Sequence, residues 1–252
     1  MGGGGDEMFR IDASILRGCV DAVLAVVDEA RLKIGEEAWK VRAVDPANVA
    51  LVDLELKREA FDEYNTEGEA EGEGEKVIGI PFDKLREVLR FATGDVSINM
   101  DNDKMALQSS AYAYTLSLLD PSSLRAEPKI PELEFSTRVV VDADDFKKVL
   151  KAAEKISDQI AIGVQNESFF VEAEGDMETM KFSLHKDELG HLSGGDCRSL
   201  FSLEYLAAMA KGFASDTLTL YISTDHPLKM EFEIADGNGR AVYMLAPRIE
   251  AE

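Results

Sequence analysis

Imidazole and thiol are scarce in this chain. Three histidines and two cysteines among 252 residues leave little for nucleophilic, acid–base or metal chemistry. Cys19 and Cys197 stand far apart, with no CxxC spacing and no clustered histidines, which suits a reducing, intracellular compartment. Cys19 falls among Ile15, Leu16, Val20 and Val23 at an apolar helix position, so a buried structural thiol is expected. His185, His191 and Cys197 follow one another at six-residue spacing, a weak pattern for metal ligands, and neither a metal nor a cofactor is expected. The sequence also lacks a P-loop, a Rossmann glycine fingerprint and a nucleophile elbow. Asp53 with Glu55, and Glu231 with Glu233, are two residues apart, which places each pair on one strand face, toward solvent. Asp101-Asn102-Asp103 has neither the glycine nor the distal glutamate of a calcium loop and reads as a turn. With no catalytic residue to name, an enzyme is not expected. There is no run of about 18 apolar residues, and the N-terminus lacks the charged-then-apolar shape of a signal peptide, so the expectation is a soluble, cytoplasmic protein without a membrane partner. Positive charge is scarce too. Against 49 acidic residues stand 27 basic ones, a net of −22, which repels a free polyanion.

What the chain does have is an internal repeat. An offset of 130 lays Asp12, Leu16, Val20, Val23 and Asp28 on Asp142, Phe146, Leu150, Ala153 and Asp158, and continues with Leu32, Ile34 and Val41 on Ile162, Val164 and Val171. An offset of 121 lays Ile80, Phe82, Leu85, Val88 and Asp95 on Phe201, Leu203, Leu206, Met209 and Asp216. The repeat predicts two similar domains, each with two short helices followed by strands. Asp12, Asp142 and Ser202 stand where N-caps belong, and Pro81 where a first helical turn tolerates proline. Strands show as alternation at 51–56, 112–118, 218–222 and 228–234, with hairpin turns at 101–103 and 236–239. The expected class is α+β, with helices packed on antiparallel sheets. Residues 1–7 read as a disordered leader, 8–119 and 135–252 as the two domains, and 120–134, with Pro121, Pro128 and Pro131, as an extended connector. Residues 67–75 read as a solvated hairpin loop.

The charge is unevenly distributed. Helical segments 12–24, 81–91, 142–155 and 203–211 hold nine basic and nine acidic residues, so the whole net charge lies outside them. Several of these acids, including Asp12, Asp142, Asp144 and Asp145, belong to first turns, where they answer the helix dipole. Lys148, Lys151 and Lys155 form a stripe, and Arg17, Lys84, Arg86, Arg90 and Lys211 supply further cations. Taken singly, such residues are what any solvated helix face carries. Their recurrence on equivalent helices points instead to faces that meet DNA phosphates inside an acidic perimeter, through loose contacts without base readout.

Two strings are more specific. Asp45-Pro46-Ala47-Asn48-Val49-Ala50-Leu51-Val52 and Tyr243-Met244-Leu245-Ala246-Pro247-Arg248-Ile249-Glu250 resemble a loop-and-strand and the C-terminal signature of sliding clamps of the proliferating cell nuclear antigen type, in particular the archaeal members. Asp225-His226-Pro227-Leu228, Met8-Phe9 and Ile130-Pro131 extend the resemblance from Met8 onward. It implies the DNA-clamp fold, with three subunits joined head to tail into a ring that encircles double-stranded DNA without sequence preference. The ring would tether DNA polymerase as a processivity factor and bind a clamp loader, flap endonuclease and DNA ligase through short peptide motifs. The family's DNA-facing positions match Arg17, Arg90, Lys148, Lys151 and Lys211, while Leu24 and Glu87 stand where some relatives carry lysine. Its partner-peptide pocket matches Val44, Val49, Leu51, Ile130, Pro227, Met244, Ala246 and Pro247, with Val44, Pro128 and Met244 replacing the methionine, leucine and tyrosine of some relatives. A homotrimer is implied, with residues 111–118 of one subunit beside 178–184 of the next. A heterotrimeric ring suits the same fold.

Overall fold

The structure, a computed structural model, describes residues 7–66, 75–101 and 103–249, so the expectations for residues 1–6, 67–74, Asn102 and Glu250 lie outside the described residues. Two compact units emerge. The first comprises the residues up to Val44, Val52–Pro128 and Glu233–Ala241, and the second Asp45–Leu51, Lys129–Phe232 and the residues from Val242 on. They differ from a division into contiguous halves, because the 45–51 loop and the chain end count with the second unit and the 233–241 hairpin with the first. The 120–134 connector divides likewise, after Pro128.

In the first unit the order is β1 (Glu7–Asp12), α1 (Ala13–Leu24), β2 (Glu29–Ile34), β3 (Ala38–Val44), β4 (Ala50–Lys57), β5 (Glu63–Asn65), β6 (Lys76–Pro81), α2 (Phe82–Leu89), β7 (Asp95–Met100), β8 (Lys104–Ser109) and β9 (Tyr112–Ser117). Its strands run β5-β1-β7-β8-β9 in one sheet and β6-β2-β3-β4 in another. The second unit follows with β10 (Thr137–Asp142), α3 (Ala143–Ala153), β11 (Gln159–Gln165), β12 (Ser168–Glu174), β13 (Thr179–His185), β14 (His191–Gly194), β15 (Cys197–Ser202), α4 (Leu203–Ala210), β16 (Thr217–Ile222), β17 (Leu228–Ile234) and β18 (Gly239–Leu245). Here the orders are β13-β12-β11-β15 and β14-β10-β16-β17-β18.

The repeat extends to single positions. Leu32 pairs with Val41 and Ile34 with Trp39 across β2 and β3, and their equivalents Ile162 with Val171 and Val164 with Phe169 across β11 and β12. The buried face of α1 includes Ala13, Leu16, Cys19, Val20 and Val23, and α3 buries the matching Ala143, Phe146, Val149, Leu150 and Ala153. Phe82, Leu85 and Leu89 of α2 correspond in the same way to Leu203, Leu206 and Ala210 of α4. Each large apolar side chain so buried contributes about 1.5–3 kcal/mol, which is why these positions keep their apolar character while the rest of each helix varies. Around them, Phe9, Trp39, Phe61 and Tyr64 pack ring against ring in the first unit, and Phe213, Phe232 and Tyr243 in the second.

Several boundaries depart from the sequence expectation. Glu7, placed in the leader, pairs with Met100 as the first residue of β1. Pro81 is the N-cap of α2 and lies outside its first turn. Ser202 holds the N-cap position of α4 without a side-chain cap, whereas Asp12 accepts the Ser14 N–H and Asp142 the Asp145 N–H. The connector is not extended throughout, because Asp120 caps a short 3-10 turn over Pro121–Ser123. Cys19 is buried as expected, and burial pushes its thiol up to about 12, which leaves it inert. Among the described residues, no helix is long and apolar enough to cross a membrane.

Candidate functional site

The expected DNA-facing cations fall into two groups. In the first unit, Arg17 of α1 donates to the Leu89 carbonyl at the end of α2 at 2.8 Å, and Arg86 of α2 pairs with Asp21 of α1. Both guanidinium groups thus tie one helix to the other. Lys84 is exposed and lies 3.6 Å from Asp83, and Arg90 is exposed at the C-cap of α2. In the second unit, Lys148 pairs with Asp145 one turn back at 3.0 Å, and this hydrogen bond to the carboxylate holds its ammonium pKa up. Lys151, Lys155 and Lys211 are exposed, Lys211 at the C-cap of α4. A lysine near a helix C-terminus also answers the negative end of the dipole.

The expected pocket residues are built from three stretches of the second unit. Leu51, Val242 and Met244 form a buried apolar cluster, with Leu133 and Phe135 packed against it. The Ala246 N–H donates to the Val49 carbonyl at 2.9 Å, which fixes the chain end beside the 45–51 loop. Phe135 meets the His226 ring edge-on at 5.6 Å, so the turn that carries Pro227 lies beside the same cluster. Ile130 is 37% exposed on the connector, and Val49, Pro227, Ala246 and Pro247 are half-buried. Val44 differs, since it counts with the first unit. Val242, Leu133 and Phe135 were missed in the sequence. Their signal was present as alternation, in Leu133-Glu134-Phe135 and in Val242-Tyr243-Met244, but alternation does not say which other strand lies opposite.

The side chains with chemistry suited to catalysis have other engagements. His185 lies 3.1 Å from Asp187, and Cys197 is buried opposite Val164 in the β11–β15 ladder. Asp53 bonds Arg42 at 2.8 Å. Among the described residues, no group of three His, Cys, Asp or Glu is placed to hold a metal ion.

The strand edges complete the geometry. β4 and β18 are not edges, since each has a strand on both sides; of the edge strands, β5 has three residues and β14 four, β6 is bridged at Gly79 by Leu119, and β15 at Leu200 by Arg248. That leaves β9 and β13, six and seven residues long, as the long edges with no strand on their outer side among the described residues. Tyr112 (56% exposed) and Tyr114 stand on β9, with Phe91 (57% exposed) 6.3 Å from Tyr112 between ring centroids.

Comparison with known proteins identifies the family. The proliferating cell nuclear antigen N-terminal domain family matches residues 7–114, and the C-terminal domain family residues 129–248. A DNA polymerase sliding clamp of Methanococcoides burtonii is 41% identical over 252 residues, covering 97% of this chain and 100% of its own. One of Natronomonas pharaonis is 39% identical over 254 residues, with the same coverage. Among solved structures, the A. fulgidus PCNA bound to the C-terminal region of FEN-1 superposes with a TM-score of 0.88 at 35% identity, over 98% of this chain and 100% of that one. With both halves matched and relatives of this identity along nearly its whole length, the chain belongs to the proliferating cell nuclear antigen family, the DNA polymerase sliding clamps.

Proposed function

We propose that three copies of this chain close head to tail into a ring around duplex DNA, joined by β9 of one subunit and β13 of the next. The observation that carries this reading is that, among the described residues, two long edges are uncovered while the other edges are short or bridged. Left open, such edges invite uncontrolled association, and pairing them removes the hazard. A contact between two different edges is heterologous, and a heterologous contact closes into a ring when its rotation permits. The exposed Phe91 and Tyr112 rings give that contact an apolar component.

Within the ring the four helices face the phosphates, with Lys148, Lys151, Lys155, Lys211 and Arg90 as the principal cations, and Arg17, Lys84 and Arg86 nearby. Topology retains the ring on DNA, so weak contacts suffice and no catalysis is involved. Partners dock through a short peptide whose aromatic anchors enter the groove of Val49, Leu51, Ile130, Pro227, Met244, Ala246 and Pro247. Its backbone pairs with the chain end by strand addition. DNA polymerase, clamp loader, flap endonuclease and DNA ligase are the proposed partners, in the cytoplasm. The A. fulgidus relative, solved with the C-terminal region of FEN-1, supports this mode.

Sedimentation equilibrium of the purified protein at micromolar concentration and moderate salt tests the assembly. A species of three times the chain mass is expected. Monomer alone overturns the homotrimer and favours a ring with other subunits.

A further inference from the structure

The loop between β3 and β4 is organised around one buried carboxylate. Asp45 is 5% exposed. It accepts the N–H of Val49 at 2.7 Å, of Ala50 at 2.9 Å and of Ala47 at 3.3 Å, so the first residue of the loop gathers the amides of the rest. Its backbone joins in, with the Asp45 N–H on the Ala50 carbonyl at 2.9 Å and the Asn48 N–H on the Asp45 carbonyl at 3.0 Å. Asn48, at φ 59°, makes the left-handed step that closes the turn, a conformation asparagine tolerates better than most residues.

A fourth donor comes from elsewhere in the chain. The Tyr205 hydroxyl, on α4 and 160 residues away, donates to the same carboxylate at 2.7 Å. Burial raises the Asp45 pKa, but the hydrogen bonds from Ala50, Tyr205, Val49 and Ala47 outweigh it and hold the carboxyl below its ordinary range. The Tyr205 phenol is pushed up, chiefly by donating to Asp45. The charge therefore stays on Asp45 and the proton on Tyr205, which is the arrangement that makes this a charge-assisted bond.

The loop held in this way supplies part of the groove wall. Its Val49 carbonyl receives the Ala246 N–H, and its Leu51 packs in the cluster with Val242 and Met244. We infer that Asp45 and Tyr205 are positioning residues for the peptide groove: α4 holds the carboxylate, the carboxylate holds the loop, and the loop sets where Val49 and Leu51 meet an incoming anchor. The inference rests on the reading of this groove as the partner site. A side chain that contacts no partner thereby contributes to affinity, because a binding surface is only as precise as the shell that supports it.

The test is titration of the full-length protein with a synthetic peptide bearing glutamine and paired aromatics, comparing wild type, Ile130→Ala and Tyr205→Phe at a temperature where all three are folded. Tyr205→Phe keeps the ring and removes only the donor. It is expected to weaken peptide binding about fivefold or more and to speed hydrogen exchange at the Val49 and Ala50 amides. Asp45→Asn should weaken binding as well, and combining it with Tyr205→Phe should cost less than the two effects added, since both break one hydrogen bond. If Asp45→Asn does not fold, Tyr205→Phe decides alone. Lost stability with unchanged peptide affinity makes the bond purely structural and overturns the inference. Should wild type bind while Ile130→Ala binds poorly and Tyr205→Phe binds normally, the groove reading stands and the positioning role falls. Failure of wild type to bind the peptide overturns both.

Discussion

In the first unit two cations, Arg17 and Arg86, tie one helix to the other, whereas in the second, among the described residues, only Lys147 reaches across, to the Phe213 carbonyl beyond α4. Arg17 reaches from α1 to the last carbonyl of α2, and Arg86 reaches back from α2 to Asp21. On α3 and α4, by contrast, Lys151, Lys155 and Lys211 are exposed, and Lys148 has only a neighbour one turn away. Because most buried apolar positions of the two pairs match, Ala22 of α1 and Met209 of α4 excepted, the difference lies mainly in the polar faces. It shows that a count of basic residues, four in the first pair of helical segments and five in the second, does not by itself say how much positive charge each presents to a ligand.

The largest effect should appear when the second unit's cations are reversed. Lys151→Glu with Lys155→Glu is expected to leave the assembly and its stability intact, since exposed residues away from caps and ion pairs change stability by no more than about 0.5 kcal/mol. The plot of log affinity for DNA against log salt should flatten by roughly one unit for each phosphate that is no longer neutralised. The corresponding change in the first unit, Arg17→Ala with Arg86→Ala, should flatten it less. An equal decrease in slope from both doubles would show that Arg17 and Arg86 leave their helix partners to meet DNA, and the contrast between the units would collapse.

Stability should rank the other way. Arg86→Ala strands Asp21, a half-buried acid, and removes a charged hydrogen bond, a loss of about 1.5–3 kcal/mol. Both side chains keep about a third of their exposure, which favours the lower end of that range. Trp39, the only tryptophan and part of the first unit's aromatic core, reports that unit's unfolding by its fluorescence in a denaturant titration. Lys151→Ala, measured alongside, should fall within error of wild type.

How much of this was legible in the sequence follows from the range of each interaction. The helices, their buried faces and the caps at Asp12 and Asp142 obey local rules of period and spacing, and the repeat supplied a second copy to check against. β5 and β14 are too short to display alternation, so neither could be read. Leu51 and Met244 were found through the family resemblance, whereas Leu133 and Phe135 required knowing what lies across from them. The Asp45–Tyr205 bond was out of reach for a stronger reason. An aspartate before Pro46 reads as a turn residue, and a tyrosine on an amphipathic helix as a half-buried ring, with nothing local to join positions 160 residues apart. The engagement of Arg17 and Arg86 was hidden similarly, because periodicity places a side chain on a face without saying whether that face meets solvent or the next helix.

The caps offer the finest comparison, since each unit has one capped and one uncapped helix. Asp12 and Asp142 accept backbone N–H groups at the starts of α1 and α3, while Pro81 and Ser202, at the starts of α2 and α4, make no such bond. Asp12→Ala and Asp142→Ala should each lower stability by about 1 kcal/mol, and Ser202→Ala should change it little. Asp12 adds a pH signature. The side-chain hydrogen bond from Ser14, helped by the Ser14 and Ile15 amides and by Arg17, holds its carboxyl below the ordinary value against the opposing effect of burial. A carboxyl that binds its proton less readily when folded favours the folded state above the unfolded pKa of about 3.9. That contribution fades as pH falls through the lowered folded value. Denaturant titrations between neutral pH and pH 3, followed at Trp39, should therefore show a shallower acid loss in Asp12→Ala than in wild type. Parallel curves for the two proteins would mean that the cap is already broken in solution, and the match between the two capped helices would fail at its first residue.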